Sequence, residues 1–555
     1  MFETPSEITQ AISSFKNDTT FIDLRRRWET DFDLYRLKPY SAGAGYFSYT
    51  SNAPRVFADK IISLLVGAKL IIRVPLDLLD MEERRVAANV ERFWYGALNL
   101  NDKHLQLCKF PSLRDQMAFY SSLRGSFFLR VFVYKNDKGE TVPDVAIWDT
   151  YNTAYAQGKD GLLWVAHTHK ATKSQIKDEY NVDISKDEDD VIDFWDTEKY
   201  GVIINNDWAQ KSEKHGLDHT PVFFIQSGAV PAISQENYQF TGVHQGESIY
   251  ASNRNLYPIL NKTISDHLTI VRRGVKVPLG FWSASGEKRI EEDIYQVEKG
   301  AIISLQTNDV ISELFKPTMP ADTAPLLQTI GAEVQRGALP HTSYGELGFR
   351  LSGFAINMLQ SSIETVVFIP LTAVTHAYEL ACGELLDQYA KGGFKPLRVR
   401  GRTSRNQVFG FPEEQTIKPS DLKGNWRPEI RLEPTLPKDE AQRYYLANLA
   451  RQGLVPMLSD RTIRDEILNV EDPDIEDRLV KEQWAAELPI PKLYEAFQQA
   501  MADGNADRAK NILAELQRLL GQLQPSTPQA QGKLPSNLEQ MAGGMEGAGM
   551  PPGET

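Results

Sequence analysis

The stretch HQGESIYASNRNLYPILNKTISDHLTIVRRG, His244–Gly274, decides how the chain is read. Ile249, Leu256, Leu260, Ile264, Leu268 and Val271 fall on one apolar stripe at helical spacing. The stretch predicts one long helix from His244 to Arg273, or two with a joint at Pro258. About 30 residues at 1.5 Å each span about 45 Å, too long to hide a single stripe inside a small domain. Arg272 and Arg273 suit a helix C-terminus, and Gly274 suits its stop.

Upstream, the pattern mixes helices and strands. Leu24, Trp28, Phe32 and Tyr35 predict an amphipathic helix over Asp23–Tyr35. A Gly/Tyr-rich loop, YSAGAGYFSY, occupies Tyr40–Tyr49. Asn52 is placed to cap a helix that has Pro54 in its first turn and ends near Gly67. Ile71–Val74 reads as a strand, and Met81–Leu98 and Ser112–Gly125 as helices. Phe127–Tyr134, Asp144–Trp148, Leu162–His169 and Val191–Trp195 read as strands, the first two joined by a hairpin turn at Asn136–Gly139. This is an α+β unit with a mostly antiparallel sheet.

Downstream of the long helix, VKVPLGFW (275–282) and AIISL (301–305) are β-like and flank a charged turn and a short helix, Gly286–Val297. Asp322–Arg336 returns to helix with Pro325 in its first turn, and Leu339–Leu351 is loop. Ser352–Tyr389 is a second very long helix that Pro370 should kink. Phe394–Arg431 is extended, Lys438–Leu520 is a run of helices, and from Gly521 the composition becomes that of a disordered tail. There is no internal repeat.

Composition narrows the function classes. The chain has 555 residues, 24% charged and 41% hydrophobic, with a net charge of −13. By length it holds three or four structural units. It can bury a sizeable core, and it is not coated with phosphate-binding patches. Cys108 and Cys382 are too few for a disulfide framework or a metal knuckle, and both read as buried thiols in a reducing compartment. MFETPSEITQ at the N-terminus is not a signal peptide. The apolar runs Ile61–Val74 and Thr365–Tyr378 fall short of the roughly 20 residues of a membrane span.

Motifs for chemistry are absent. No P-loop, GxSxG, HExxH or EF-hand loop occurs, and Gly43–Gly45 is too short for a dinucleotide fingerprint. His167 and His169 share one strand face and read as a polar sheet surface. His215 and His219 sit in a loop, and the acidic run DISKDEDD (183–190) lacks the spacing of a calcium site. Lys395, Arg398, Arg400, Arg402 and Arg405 form the strongest basic patch. It is read as a solvated strand edge or a subunit stripe, with phosphate contact the alternative. No catalytic residue, cofactor or metal is expected.

The order of elements resembles that of tailed-bacteriophage portal proteins over roughly residues 20–520. VGAKLIIRVP (Val66–Pro75) is similar to the segment entering the portal wing, and RDQMAFYSSLRGSFFLRVF (Arg114–Phe132) to the wing helix and strand. HTPVFFIQSG (His219–Gly228) resembles the strand preceding the first stem helix. GLVPMLSDRTIRDEILNVEDPDIEDRLVKEQ (Gly453–Gln483) resembles a C-terminal segment in which a Ser/Thr cap starts a short helix and an acidic turn starts another.

The resemblance implies a portal-type α+β fold: wing 1–243, stem helices 244–273 and 321–337, and clip 274–320. Tunnel loop 338–351, a kinked long helix with wing return 352–435, crown 436–520 and tail 521–555 complete it. It implies a dodecameric ring at one capsid vertex, a channel for packaging and ejecting double-stranded DNA. The partners would be the terminase large subunit, the head–tail adaptor and tail proteins, and the major capsid and scaffolding proteins, with no membrane. The location would be the virion, and the host cytoplasm during assembly. Arg336, His341, Thr342, Ser343, Tyr344 and Arg350 would face DNA, although Arg336, His341 and Arg350 equally suit pairing with Glu333 or Glu346 of a neighbour. Phe281, Trp282, Lys288 and Arg289 would form a docking edge, or Trp282 would be buried in the clip. Leu256, Leu260, Ile264 and Leu268 would form the stem interface. The other readings are a capsid or connector component, or a cytosolic enzyme with an unrecognised site.

Overall fold

The structure is a computed structural model. It describes residues 2–75, 81–136, 138–159, 161–230, 245–275, 279–282, 310–313, 323–339, 353–400, 414–434, 440–451 and 457–468, and scattered positions to 518. The chain divides into two compact units, Met1–Leu449 and Ala450–Thr555.

The first unit opens with α1 (Pro5–Lys16), α2 (Thr19–Tyr35) and α3 (Ala53–Val66). A capping box starts α1: Thr4 accepts from the Glu7 N–H while the Glu7 carboxylate accepts from the Thr4 N–H. Asn52 stands at the N-cap of α3, but its side chain does not cap it; the neighbouring Ser51 hydroxyl accepts the Ala53 N–H instead. Strand β1 (Lys69–Arg73) leads to α4 (Met81–Leu107), which runs beyond the expected stop at Leu98, and to α5 (Leu113–Leu123), capped by Ser112.

Nine short elements then follow: β2 (Ser126–Lys135), β3 (Thr141–Asp149), β4 (Thr153–Gln157), β5 (Leu162–Thr172), α6 (Lys173–Tyr180), β6 (Glu188–Asp196), β7 (Lys199–Ile204), β8 (Asp207–Lys214) and β9 (Val222–Gln226). The hairpin at Asn136–Gly139 is present. The Asn136 side chain accepts from the Lys138 and Glu140 N–H groups, and Gly139 takes a φ of 66°. The strands form a three-stranded sheet, β3-β2-β9, and a five-stranded sheet, β4-β5-β6-β7-β8. Among the described residues every pairing is antiparallel, and the fold is α+β.

The long helix predicted from His244 starts later. Residues 249–254 are turns, and α7 runs from Leu256 to Val275, with Pro258 near its first turn, where a missing N–H costs nothing. Beyond it, β10 (Leu279–Trp282) pairs with β11 (Val310–Glu313), and α8 (Thr323–Arg336) returns. Then α9 (Gly353–Lys391) continues as one helix on both sides of Pro370. Strands β12 (Leu397–Arg400), β13 (Glu414–Ile417) and β14 (Glu429–Glu433) complete the sheets, β12 on β13 and β14 on β1. Helix α10 (Glu440–Arg451) follows. In the second unit Ser459 accepts the Thr462 N–H, the expected cap, over a short helical stretch. The short helix expected at Gly286–Val297, the loop from Pro340, most of the crown and the tail lie outside the described residues.

By length and apolar composition, Ser361–Lys391 could cross a membrane. Here one side of that segment serves as core. Val374, Ala377, Tyr378, Ala381, Cys382, Leu385 and Tyr389 are buried with α4 and the three-stranded sheet. The Trp94 indole N–H donates to the Cys382 carbonyl at 2.8 Å, and Gly96 leaves room for Val399, which a Cβ would meet at 2.3 Å. Burial of Cys382 pushes its thiol well above the usual range. Cys108 differs from expectation: it is exposed, just past the last turn of α4.

Side chains meet several buried backbone groups that the ladders leave open. Gln388 accepts the Val133 N–H and donates to the Val131 carbonyl. The Tyr95 hydroxyl accepts the Ile72 N–H, Glu91 accepts the Val74 N–H, and the Tyr389 hydroxyl accepts the Leu397 N–H. Each would otherwise be an orphan polar group with little water to meet it.

Candidate interface and channel residues

The segment that leads into α7 is clamped to the body. Gly246 (φ 96°) crosses Gly125 (φ 74°) so closely that a Cβ on Gly246 would lie 1.9 Å from the Gly125 carbonyl oxygen. Both positions demand glycine. The Glu247 N–H donates to the Ser227 carbonyl and the Ile249 N–H to that of Ser122. Buried Asp31 accepts from Arg254 at 2.6 and 2.9 Å and from the Ser248 hydroxyl at 2.7 Å. Glu247 bridges Arg254 (3.0 Å) to Arg27 (2.8 Å). Burial works against the Arg254 charge, yet hydrogen bonds to Asp31 and Glu247 hold its guanidinium above the ordinary value. The Asn253 side chain then donates to the Val334 carbonyl at 2.7 Å, tying the start of this excursion to its return in α8.

A polar ladder holds the far face of α7. Asn261, Ser265 and Thr269 are buried one helical turn apart. They accept the N–H groups of Ser51, Tyr49 and Phe47 at 2.8, 2.9 and 2.9 Å. Four helical residues rise about 6 Å and two extended residues about 6.6 Å, so the two periods match. Ser265 and Thr269 donate their own hydrogens to the carbonyls of Asn261 and Ser265, which leaves their lone pairs for the strap. The Arg272 guanidinium lies 4.1 Å from the Phe47 ring centre. The sequence reading passed over these three residues. Their i, i+4, i+8 recurrence within an apolar helix was the available signal.

The apolar stripe of α7 therefore divides. Leu256 and Leu260 pack against the chain's own core, beside Tyr257, Ile330 and Val334. Ile264 is half-buried. Leu268 (39% exposed), Val271 (51%) and Ile259 (48%) have open side chains. Leu326 on α8 and Phe368 and Ile369 on α9 are exposed as well.

The other expected positions fall as follows. Arg336 is exposed and pairs within its own helix with Glu333 at 2.6 Å. Phe281 and Trp282 lie on β10, in register with Ile311 and Val310. His341, Thr342, Ser343, Tyr344, Arg350, Lys288 and Arg289 lie outside the described residues. Lys395 and Arg398 are exposed beside and on β12. His167 and His169 do share a face and stack on one another, with ring centres 5.9 Å apart. His219 pairs with Glu384 at 3.1 Å, while His215 contacts the Asp196 carbonyl. Among the described residues, no group of three or more His, Cys, Asp or Glu is placed to hold a metal.

No known protein family matches the chain, and no curated protein matches it. Solved structures with similar chains include the neck of an empty GTA particle computed with C6 symmetry. That match has 13% identity and a TM-score of 0.42 over 78% of this chain and 92% of that one. The virion of a native gene transfer agent (GTA) particle gives 13% and 0.40 over 81% and 93%. The neck of a native GTA particle computed with C12 symmetry gives 12% and 0.39 over 75% and 89%.

Proposed function

We propose that this chain is a portal subunit: a structural virion protein, not an enzyme, that closes into a ring around double-stranded DNA at one capsid vertex. The observation that carries this reading is the excursion α7–β10–β11–α8. It leaves the α+β body beside Asn253, returns beside Val334, and keeps Ile259, Leu268, Val271 and Leu326 open to solvent. Apolar positions on paired helices that the chain itself does not cover are what a neighbouring copy would cover in a closed ring. In this reading α7 and α8 are the stem, β10 and β11 belong to the clip that meets motor and adaptor, and the net charge of −13 keeps DNA from being gripped. Twelve copies, terminase, adaptor, capsid and scaffolding partners follow from the portal resemblance of the sequence.

Native mass with negative-stain imaging tests it. Twelve chains of 62.6 kDa give a ring of about 750 kDa with a central hole. Leu268→Asp should leave the subunit folded and block the ring, because that side chain touches solvent in the single chain. Leu260→Asp should damage the subunit itself, because it packs on the core. A chain that stays monomeric or dimeric across salt, concentration and added scaffold overturns the proposal, as does an intact ring carrying Leu268→Asp.

A further inference from the structure

The body buries one side of α9 and leaves the other open. In its first half Ile363, Val367 and Leu371 enter the cluster that holds Tyr257 of α7 and Ile330 and Val334 of α8. On the opposite side of the helix Thr365, Phe368, Ile369 and Thr372 recur at i, i+3, i+4 and i+7, and all four are exposed. Phe368 is 63% exposed and Ile369 51%. With Ser361 and Ser362 they give an uncharged strip about 16 Å long, on a chain that is 24% charged. Its threonine donors are already satisfied. Thr365 donates to the Ser361 carbonyl and Thr372 to the Phe368 carbonyl, both at 2.8 Å, so neither loses a donor bond when water leaves.

Other exposed apolar side chains do not form such a face. Tyr444, Tyr445 and Leu446 are consecutive and therefore point around α10 rather than to one side of it. Leu107 and Phe110 flank exposed Lys109 at a turn.

The excursion carries the second apolar patch. Helices α7 and α8 reach the same cluster with Leu256, Leu260, Ile330 and Val334, and then carry Leu268, Val271 and Leu326 out of it. The two patches sit on different elements, and neither is covered in the single chain. A ring closed by rotation joins unlike surfaces: each copy offers one patch to the neighbour on one side and a different patch to the neighbour on the other. An uncharged strip that needs no water is a surface that an apolar stripe can bury without stranding a charge.

We propose that the outer face of α9 in one copy seats on the α7–α8 patch of the next, with Phe368 and Ile369 against Leu268, Val271 and Leu326. This rests on the ring reading and deepens it, since that reading leaves open which surface of the neighbour covers the stripe.

The test uses the full chain with the photoreactive residue p-benzoylphenylalanine in place of Phe368, assembled with unsubstituted chain labelled with heavy nitrogen. Irradiated rings should join position 368 to peptides from 256–275 or 323–336 of the labelled copy. Phe368→Asp should leave the subunit folded, with Cys382 still closed to thiol reagents, and raise the concentration needed for assembly about tenfold or more. Thr372→Lys, on the same exposed strip, should do the same, and Phe368→Leu should retain the ring. Rings that crosslink from position 368 only within one copy or only to other segments overturn this seating and leave the ring reading standing. So do rings that form unchanged with both Phe368→Asp and Thr372→Lys. Failure of the unsubstituted chain to form any ring overturns both.

Discussion

Replacing Ser265 by Ala isolates one rung of the ladder between α7 and the strap. The side chain is fully buried, its oxygen accepts the Tyr49 N–H at 2.9 Å, and nothing else on the helix reaches that donor. Alanine preserves helix propensity, so the cost is the stranded N–H, about 1–3 kcal/mol. Adding Thr269→Val and Asn261→Leu strands the Phe47 and Ser51 donors as well. The three rungs share one strap, so their effects should fall short of additive. The assay is amide exchange, which reads local opening without requiring all 555 residues to unfold together. A loss of 1–3 kcal/mol corresponds to exchange at Tyr49 faster by about 5- to 150-fold. The triple variant should release Phe47, Tyr49 and Ser51 together while Val131 and Val133 in the sheet stay protected. If Tyr49 exchanges at its original rate in Ser265→Ala, the strap is held by something other than these bonds.

Arg254→Leu strands the buried Asp31 carboxylate and should cost about 3–5 kcal/mol, visible as a lower first unfolding transition. Adding Asp31→Asn should recover part of that loss. His219 is held above its ordinary value by its hydrogen bond to Glu384, with Asp218 and Asp387 reinforcing it. A raised folded value means that the pair's contribution is complete below the unfolded value near 6.5 and is lost as pH rises through the folded one. His219→Gln should therefore flatten the dependence of melting temperature on pH between about 6 and 8, and an unchanged slope would refute the assignment. A thiol reagent should modify Cys108 in the native chain and reach Cys382 only after denaturation.

The helices α2, α3, α5, α8 and α9 were legible in the sequence and lie within a few residues of their expected bounds. The long hairpin β2–β3 was equally plain. The start of α7 was not. Asn253 and Arg254 have ordinary helical character, but their side chains are committed to Val334 and Asp31, contacts 81 and 223 positions away in sequence. Strands β4 and β8 escaped notice because TAYAQ is short and DWAQKSEK is charged on both faces. Cys108 departs from the rule that a free thiol behaves as a small hydrophobe because it sits where α4 ends and Lys109 turns to a φ of 62°. Among the candidate site residues, sequence spacing singled out the apolar half of α7. It could not show that Leu256 and Leu260 face inward, because that depends on where α8 lands.

The bond between Asn253 and Val334 has an evolutionary side. Gly337 passes so near Asn253 that a Cβ on it would lie 2.3 Å from the amide oxygen, so the two ends of the excursion meet at one point. An insertion with touching ends is a cassette. Lengthening or shortening what lies beyond α7 and α8 adds a loop-closure entropy that grows by only about 0.6 kcal/mol per doubling of length. The body can stay constant while the tip diversifies to suit new neighbours. Grafting a foreign tip between α7 and α8 becomes a practical way to give the same body a new surface.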